Sequence, residues 1–377
     1  MPWVLLLLAT LFVNFGGNLP MGSLPLALSA DGSSAAVVSL VMGAALFAAL
    51  AGSVPIGVLV DRVGRLPTMR GSVVLVILST VGLAFVHGPV ANAAVMALRA
   101  LALVALVTAQ FAYAAEVVPP ERRISAVTTL GMIGNLSFAT APVLAVWLWQ
   151  HGIGREQYAW AGLSILAGAM FLIPLPARHD VRTLRRSRTI VMRSAWLPAI
   201  GFSMATTVAG GINGALAVLT FDHRGLANGA LIFSAQALTA FALRYPAGRM
   251  VDEYGPRVIA IPTAIFQCLG CILAAYAYGP LAVIVAGICF GVAWSAVVPV
   301  AVALFFEKSS STTRGIALGA YNFSVGVGQA SGALLAALAA ALGPGYALAM
   351  MVAALVPLAA LPGVLLSTSA RAVKTSS

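Results

Sequence analysis

From residue 4 to residue 366 the chain repeats one pattern: an apolar run, then a short break carrying Gly, Pro or charge. The stretch AAVVSLVMGAALFAALAGSVPIGVLV is typical, and its apolar positions are continuous rather than alternating. A membrane barrel strand shows about ten residues of alternating polarity. A helix crossing the hydrocarbon core needs roughly 20 mostly apolar residues in a row, and it satisfies its backbone polar groups internally. The pattern therefore predicts helices. The breaks place twelve of them near 4–28, 35–59, 70–88, 91–115, 124–149, 157–175, 195–220, 227–247, 258–277, 280–305, 314–341 and 345–366.

Composition points the same way. Hydrophobic residues make up 61% of the chain and charged residues 8%, with a mean hydropathy of +1.00. A soluble domain is about half apolar and a quarter charged, and could not hide this much apolar surface. The chain reads as an all-α, multi-pass membrane protein with the lipid bilayer as its solvent. The Met1 segment lacks a basic stretch before its apolar run, so it reads as the first span rather than a signal peptide.

The net charge of +11 suggests nucleic acid until its distribution is considered. With an even number of spans, both termini and the central loop share one side. That side collects 17 of the 21 basic residues, including the six arginines from Arg178 to Arg193. Only Arg155 and Arg224 fall on the other side, while Arg99 and Arg244 lie within spans. This asymmetry is the positive-inside rule, which puts both termini in the cytoplasm and leaves no patch for nucleic acid.

Metal and covalent chemistry find little support. Cys268, Cys271 and Cys289 lie in apolar helix, and the C-x-x-C of CLGC has no second ligand pair. The four histidines fall in loops or at span ends, so no metal and no cofactor is expected. All ten acids also fall in loops or at span ends, which leaves no carboxylate at depth to carry a proton.

Charge does cluster at PIGVLVDRVGR, which begins at Pro55, and a related run, PAGRMVDEYGP, begins at Pro246. A shift of 191 residues superposes Gly57 on Gly248, Asp61 on Asp252 and Gly64 on Gly255, and it also aligns Arg123 with Arg314. The chain is thus two six-span halves, expected at 1–176 and 195–377, joined by a basic cytoplasmic linker at 177–194 and ending in a short cytoplasmic tail. Parallel repeats of this kind are one plan for transporters. Two helices joined by so few residues call for Gly57 and Gly64, for close backbone approach and a tight turn. Asp61 is placed to pair with Arg62, Arg65 or the end of a neighbouring helix. Present in both halves, the motif reads as a latch on a rocking equilibrium.

GVLVDRVGR resembles the G-x-x-x-D-R-x-G-R signature between helices two and three of the major facilitator superfamily, and GRMVDEYGPR, which includes Arg257, resembles its degenerate copy between helices eight and nine. The resemblance covers the whole chain. It implies two pseudo-symmetric six-helix bundles that expose a central site alternately to either side. GNLSFATAPVLA in the fifth span resembles loosely the glycine-rich signature of bacterial proton-driven exporters, with alanine at several glycine positions.

Polar residues within spans usually face a cavity or another helix. Asn14 and Asn18 stack on one face of the first span, and Arg99 and Gln110 stand about three turns apart on the fourth. Asn135, Asn213, Gln236, Trp294, Tyr321 and Asn322 complete the candidate substrate and coupling residues, with Arg99 as principal charge. By resemblance, helices one, four, seven and ten line the cavity. Gly287/Gly291 and Gly328/Gly332 are spaced for close helix approach.

The expectation is a monomeric secondary transporter in the bacterial inner membrane. It would move a small organic molecule by alternating access, most readily as a proton-coupled exporter. Uptake, uncoupled facilitation of a small anionic metabolite, and a non-transporting receptor or scaffold are the alternatives. A membrane enzyme lacks a nucleophile, metal cluster or acid pair at depth, and an ATP-driven pump lacks a phosphate-binding G-x-x-x-x-G-K-[ST] loop.

Overall fold

The computed structural model describes residues 2–118, 123–176, 194–226, 228–309, 314–343 and 345–367. The basic linker lies outside them except for Ser194, as does the tail from residue 368. The described residues form thirteen α-helices and no strand. They are α1 (Pro2–Ala30), α2 (Ala35–Val63), α3 (Arg65–Gly82), α4 (Pro89–Val117), α5 (Arg123–Gln150), α6 (Gln157–Met170), α7 (Leu197–Ile212), α8 (Val218–His223), α9 (Leu231–Tyr254), α10 (Pro256–Ala275), α11 (Pro280–Glu307), α12 (Arg314–Ala341) and α13 (Gly345–Leu366). A π-helical turn, Asn213–Ala217, joins α7 to α8 as one rod.

Nine helical stretches among the described residues are long and apolar enough to cross a membrane. The twelve expected spans also include α3, α6 and α9, which miss that mark for local reasons. α3 opens with Arg65 and Arg70, α6 is 14 residues long, and α9 ends in a charged turn carrying Arg249, Asp252 and Glu253. Large apolar side chains such as Leu78, Leu163 and Leu355 stand exposed on the helix faces, as a bilayer requires and water would punish.

The repeat is visible in the packing. In the first half α1 meets α5 and α6, α2 meets α4, and α3 meets α4 and α6. In the second half α7 meets α12 and α13, α9 meets α11, and α10 meets α11 and α13, pair for pair the same arrangement. Two large seams join the halves, α2 on α12 and α5 on α9. Gly64 and Gly255 sit at equivalent turns with φ of 96° and 84°, and their N–H groups donate to the carbonyls of Val60 and Val251. Both turns need glycine, because L side chains rarely adopt this left-handed φ.

Core packing distinguishes the two ends of the molecule. At the end carrying the 31–34 and 224–230 loops, one core runs through both halves, from Leu24, Leu28 and Val38 to Phe221, Phe233 and Met350. Toward the end carrying Gly64 and Gly255, the core splits in two. One part holds Leu6, Met69 and Leu106, and the other holds Phe202, Val300 and Phe305. The molecule is shut at the first end and parted at the second.

Candidate functional site

Between the parted halves lies a cavity of about 470 Å³ with walls from both. The first half contributes Asn14, Asn18, Arg99 and Asn135, and the second contributes Asn213, Gln236, Trp294 and Gln329. Met21, Met42, Met96, Phe138 and Phe233 supply adaptable apolar wall. Among the described residues no Asp, Glu or His lines it.

Each polar residue reaches the cavity through local helix chemistry. Asn14 and Asn18 donate their Nδ2 groups four residues back, to the carbonyls of Thr10 at 2.8 Å and Asn14 at 2.9 Å. Each side chain's Oδ1 has no hydrogen-bond donor among the described residues and stands at the cavity wall. Asn213 opens the π-helical turn, a rare insertion that is frequent at functional sites. Its Oδ1 accepts the buried Tyr346 hydroxyl at 2.6 Å, which spares the amide hydrogens for the cavity. On α7 and α12, glycines bring the backbones together. A Cβ on Gly211 would overlap the Gln329 carbonyl, and one on Gly332 the Val208 carbonyl. That proximity brings Gln329 to the same wall as Asn213. The Gly287/Gly291 pair acts likewise, since a Cβ on either would come within 2.6 Å of an α9 carbonyl oxygen, Ile232 or Gln236.

Arg99 is 6% exposed, and its one hydrogen bond among the described residues runs from Nε to Thr80 Oγ1 at 3.3 Å. No carboxylate among the described residues pairs with it. The backbone of Gly17 approaches the guanidinium closely enough that a Cβ there would lie 3.8 Å from Nη2. A guanidinium at this depth is costly without a partner, and it presents the cavity with one positive charge that no lining carboxylate answers.

Three expected site residues lie elsewhere. Gln110 shares a helix face with Arg99, but eleven residues of rise put it about 16 Å further along the axis. There it is buried beside Ala109 with Nε2 unbonded. Tyr321 is buried in the second-half core, edge-on to Phe305. Asn322 is exposed and lines a separate, smaller cavity. Thr206, another polar span residue, is spent on its own helix, donating to Phe202 O at 2.8 Å. Residue type marked these as polar in an apolar span, but depth and facing decide who meets the cavity. Met21, Met42 and Met96 gave no signal beyond apolarity.

At the parted end the motif residues stand open. Asp61, Arg62 and Asp252 are exposed, and neither acid makes an ion pair among the described residues. A Cβ on Gly57 or Gly248 would meet nothing within 4 Å, so the close approach expected at Gly57 is absent here. The reason is the separation of the two halves at this end. Arg257 instead makes a two-pronged pair with Glu307 at 2.9 and 3.2 Å and donates to Ser367 O, tying α10 to the ends of α11 and α13.

The family model of the Major Facilitator Superfamily matches residues 6–227 and 198–377. The chain belongs to the major facilitator superfamily. It is a multi-pass membrane protein of a transporter family, which implies a small-molecule substrate. No curated protein matches it. Among solved structures, a variant of the nucleoside transporter NupG aligns with TM-score 0.81 at 14% identity, over 98% of this chain and 100% of that one. The peptide transporter POT in complex with sulfate aligns at 0.77 and 15%, over 98% and 96%. A bacterial homologue of the human lysosomal transporter Spinster, inward-facing and unoccupied, aligns at 0.77 and 14%, over 97% and 96%. At such identities the likeness is one of fold.

Within this major facilitator fold, the shut end carries a feature that polarity counts missed. Arg155 Nη1 donates to the carbonyls of Leu83 and Val86 at 3.0 and 2.9 Å, while Nη2 pairs with Asp31. Arg224 donates to Ala277 and Ala275 at 2.8 Å and lies 4.7 Å from the Tyr278 ring centroid. Each arginine closes the carbonyl end of one helix, α3 or α10.

Proposed function

We propose that this protein is a secondary transporter of a small organic anion, working by alternating access across a bacterial inner membrane as a monomer of twelve spans. The observation that carries the reading is Arg99, a cavity guanidinium with no carboxylate partner among the described residues. Guanidinium geometry suits carboxylate or phosphate, and the asparagines, glutamines and Trp294 around it supply neutral contacts for the rest of the solute. The conformation, parted at the Gly64/Gly255 end, is the one open to the cytoplasm on the positive-inside reading of the basic loops. In this reading the halves are 1–176 and 195–377, with 177–194 as cytoplasmic linker and both termini inside. Asp61 with Arg62 and Arg65, and more weakly Asp252, engage when that end closes.

Proton-coupled export is the second reading. It is favoured by Asp31 at the shut end, which pairs with Arg155 and has His87 Nδ1 at 3.9 Å, a titratable cluster that opening would disturb. The deciding experiment uses purified protein in proteoliposomes loaded with a carboxylate or its neutral amide isostere. Carboxylate flux lost in Arg99→Lys supports the anion reading, and equal flux of amide and acid refutes it. A pH jump detected by a trapped dye during flux separates proton coupling from facilitation.

A further inference from the structure

Beside the central cavity, between α2 and α12, is a second space of about 190 Å³. Leu46 and Gln329 line both, so the two volumes adjoin across these side chains. The chemistry changes at that boundary. Beyond Gln329 the walls are Ala49, Leu50, Val325 and Gly326, and the polar groups, Ser53 and Asn322, belong to exposed residues. Ser53 spends its hydroxyl hydrogen on Leu50 O at 2.8 Å, so it offers a ligand no donor.

The width of the annex is set by small residues. A Cβ on Gly326 would stand 3.1 Å from Leu50 Cδ1, so a single methyl there presses on the opposite wall. Ala49 leaves comparable room on α2. The space is narrow, mostly apolar and adjoins a chamber whose one charge is a cation. Water gains little there, because apolar walls give it few hydrogen bonds. An alkyl segment gives up no hydrogen bonds by entering and removes its own surface from water.

We infer that the annex is a subsite for an unbranched apolar chain on the substrate whose acidic group meets Arg99. The ligand class is then an anionic amphiphile, an alkyl carboxylate or alkyl phosphate, rather than a compact polar anion. This rests on the anion reading of Arg99 and narrows it. The annex walls come from different halves, so a chain lying in it bridges the α2–α12 seam, and its release is coupled to the movement of that seam.

The test measures affinity of the full-length protein in nanodiscs for n-alkyl carboxylates from acetate to decanoate, and for n-alkyl monophosphates of the same lengths. The expected result is affinity rising by up to about fourfold per methylene, then levelling when the annex is full. In Ala49→Leu the rise should stop at a shorter chain, and in Val325→Ala at a longer one. Arg99→Gln should weaken every member of both series. If Arg99→Gln binds the series as the unaltered protein does, or if nothing binds, the anion reading fails. If the anions bind without dependence on chain length, or both annex variants keep the original chain-length profile, the annex is no subsite and the inference falls alone.

Discussion

Arg155 and Arg224 close equivalent helix ends from places that the repeat does not relate. Leu83 and Val86, which accept from Arg155, become Ala274 and Ala277 on a shift of 191 residues, and these carbonyls face Arg224 at 3.5 and 2.8 Å. Arg155 belongs to the loop before α6 and Arg224 to the turn after α8, so two different solutions meet one demand. The demand is physical: the last carbonyls of a helix have no partner in it, and they carry the negative end of its dipole. Arg155→Ala and Arg224→Ala should each destabilise the protein by roughly 2 kcal/mol, the scale of hydrogen bonds to a charged donor. Melting curves in one detergent check this. Asp31→Asn should cost less, since Arg155 keeps its carbonyl partners.

At Arg99 the sharp comparison is with lysine. Arg99→Lys keeps the charge but loses the planar fork, and anion affinity should fall at least tenfold while melting temperature stays near that of the unaltered protein. Arg99→Ala should bind more weakly still. Calorimetric titration with a carboxylate ligand gives both numbers, and unchanged affinity in both variants would make Arg99 a structural tie to Thr80.

Asp61→Asn should nearly abolish transport while leaving folding and insertion intact. The side chain is exposed and makes no ion pair among the described residues, so the conformation seen here loses nothing. Uptake into proteoliposomes, paired with a melting curve, separates the two effects. Asp252→Asn should be milder, because Glu253 stands where the first half has Arg62.

Tyr346→Phe removes the hydroxyl that donates to Asn213 Oδ1. The loss should be about 1 kcal/mol, the usual size of an interhelical hydrogen bond in a membrane protein. It also frees Asn213 to turn within the π-helical segment. A modest fall in melting temperature together with altered ligand affinity is the expected pair of results. A change in stability alone would make the contact purely structural.

Gly332→Ala should be far more damaging than its single methyl suggests. The added carbon would overlap the Val208 carbonyl, so α7 and α12 must separate, and overpacking of this kind costs about 1–3 kcal/mol. Gly248→Ala, where the methyl meets open space, is the matched control. Thermal stability of the two variants should differ clearly.

Much of this was readable along the chain because it depends on short-range physics. Long apolar runs must become helices in lipid. The left-handed turns at Gly64 and Gly255 need glycine whatever packs around them, so the repeat at 191 residues is plain in the sequence itself. Small residues four apart at Gly328 and Gly332 announced a close helix contact, and seven of the ten expected cavity residues, Arg99 among them, do line one space. What the tertiary structure decided was depth, facing and partnership across helices. Gln110 and Arg99 share a helix face, yet one is buried in a core and the other borders a cavity, because each depth of α4 meets different neighbours. Gln329 joins the wall only because glycines let α7 and α12 touch. Arg155 and Arg224 looked like stray loop charges, since nothing local shows that a chain folding back on itself will lay each against a carbonyl end more than forty residues away. An apolar residue suits a span by its own chemistry, whether it is exposed on a helix face as Leu78 is or buried as Leu106 is. A polar residue's role depends on which group arrives opposite it, and packing between distant segments alone settles that.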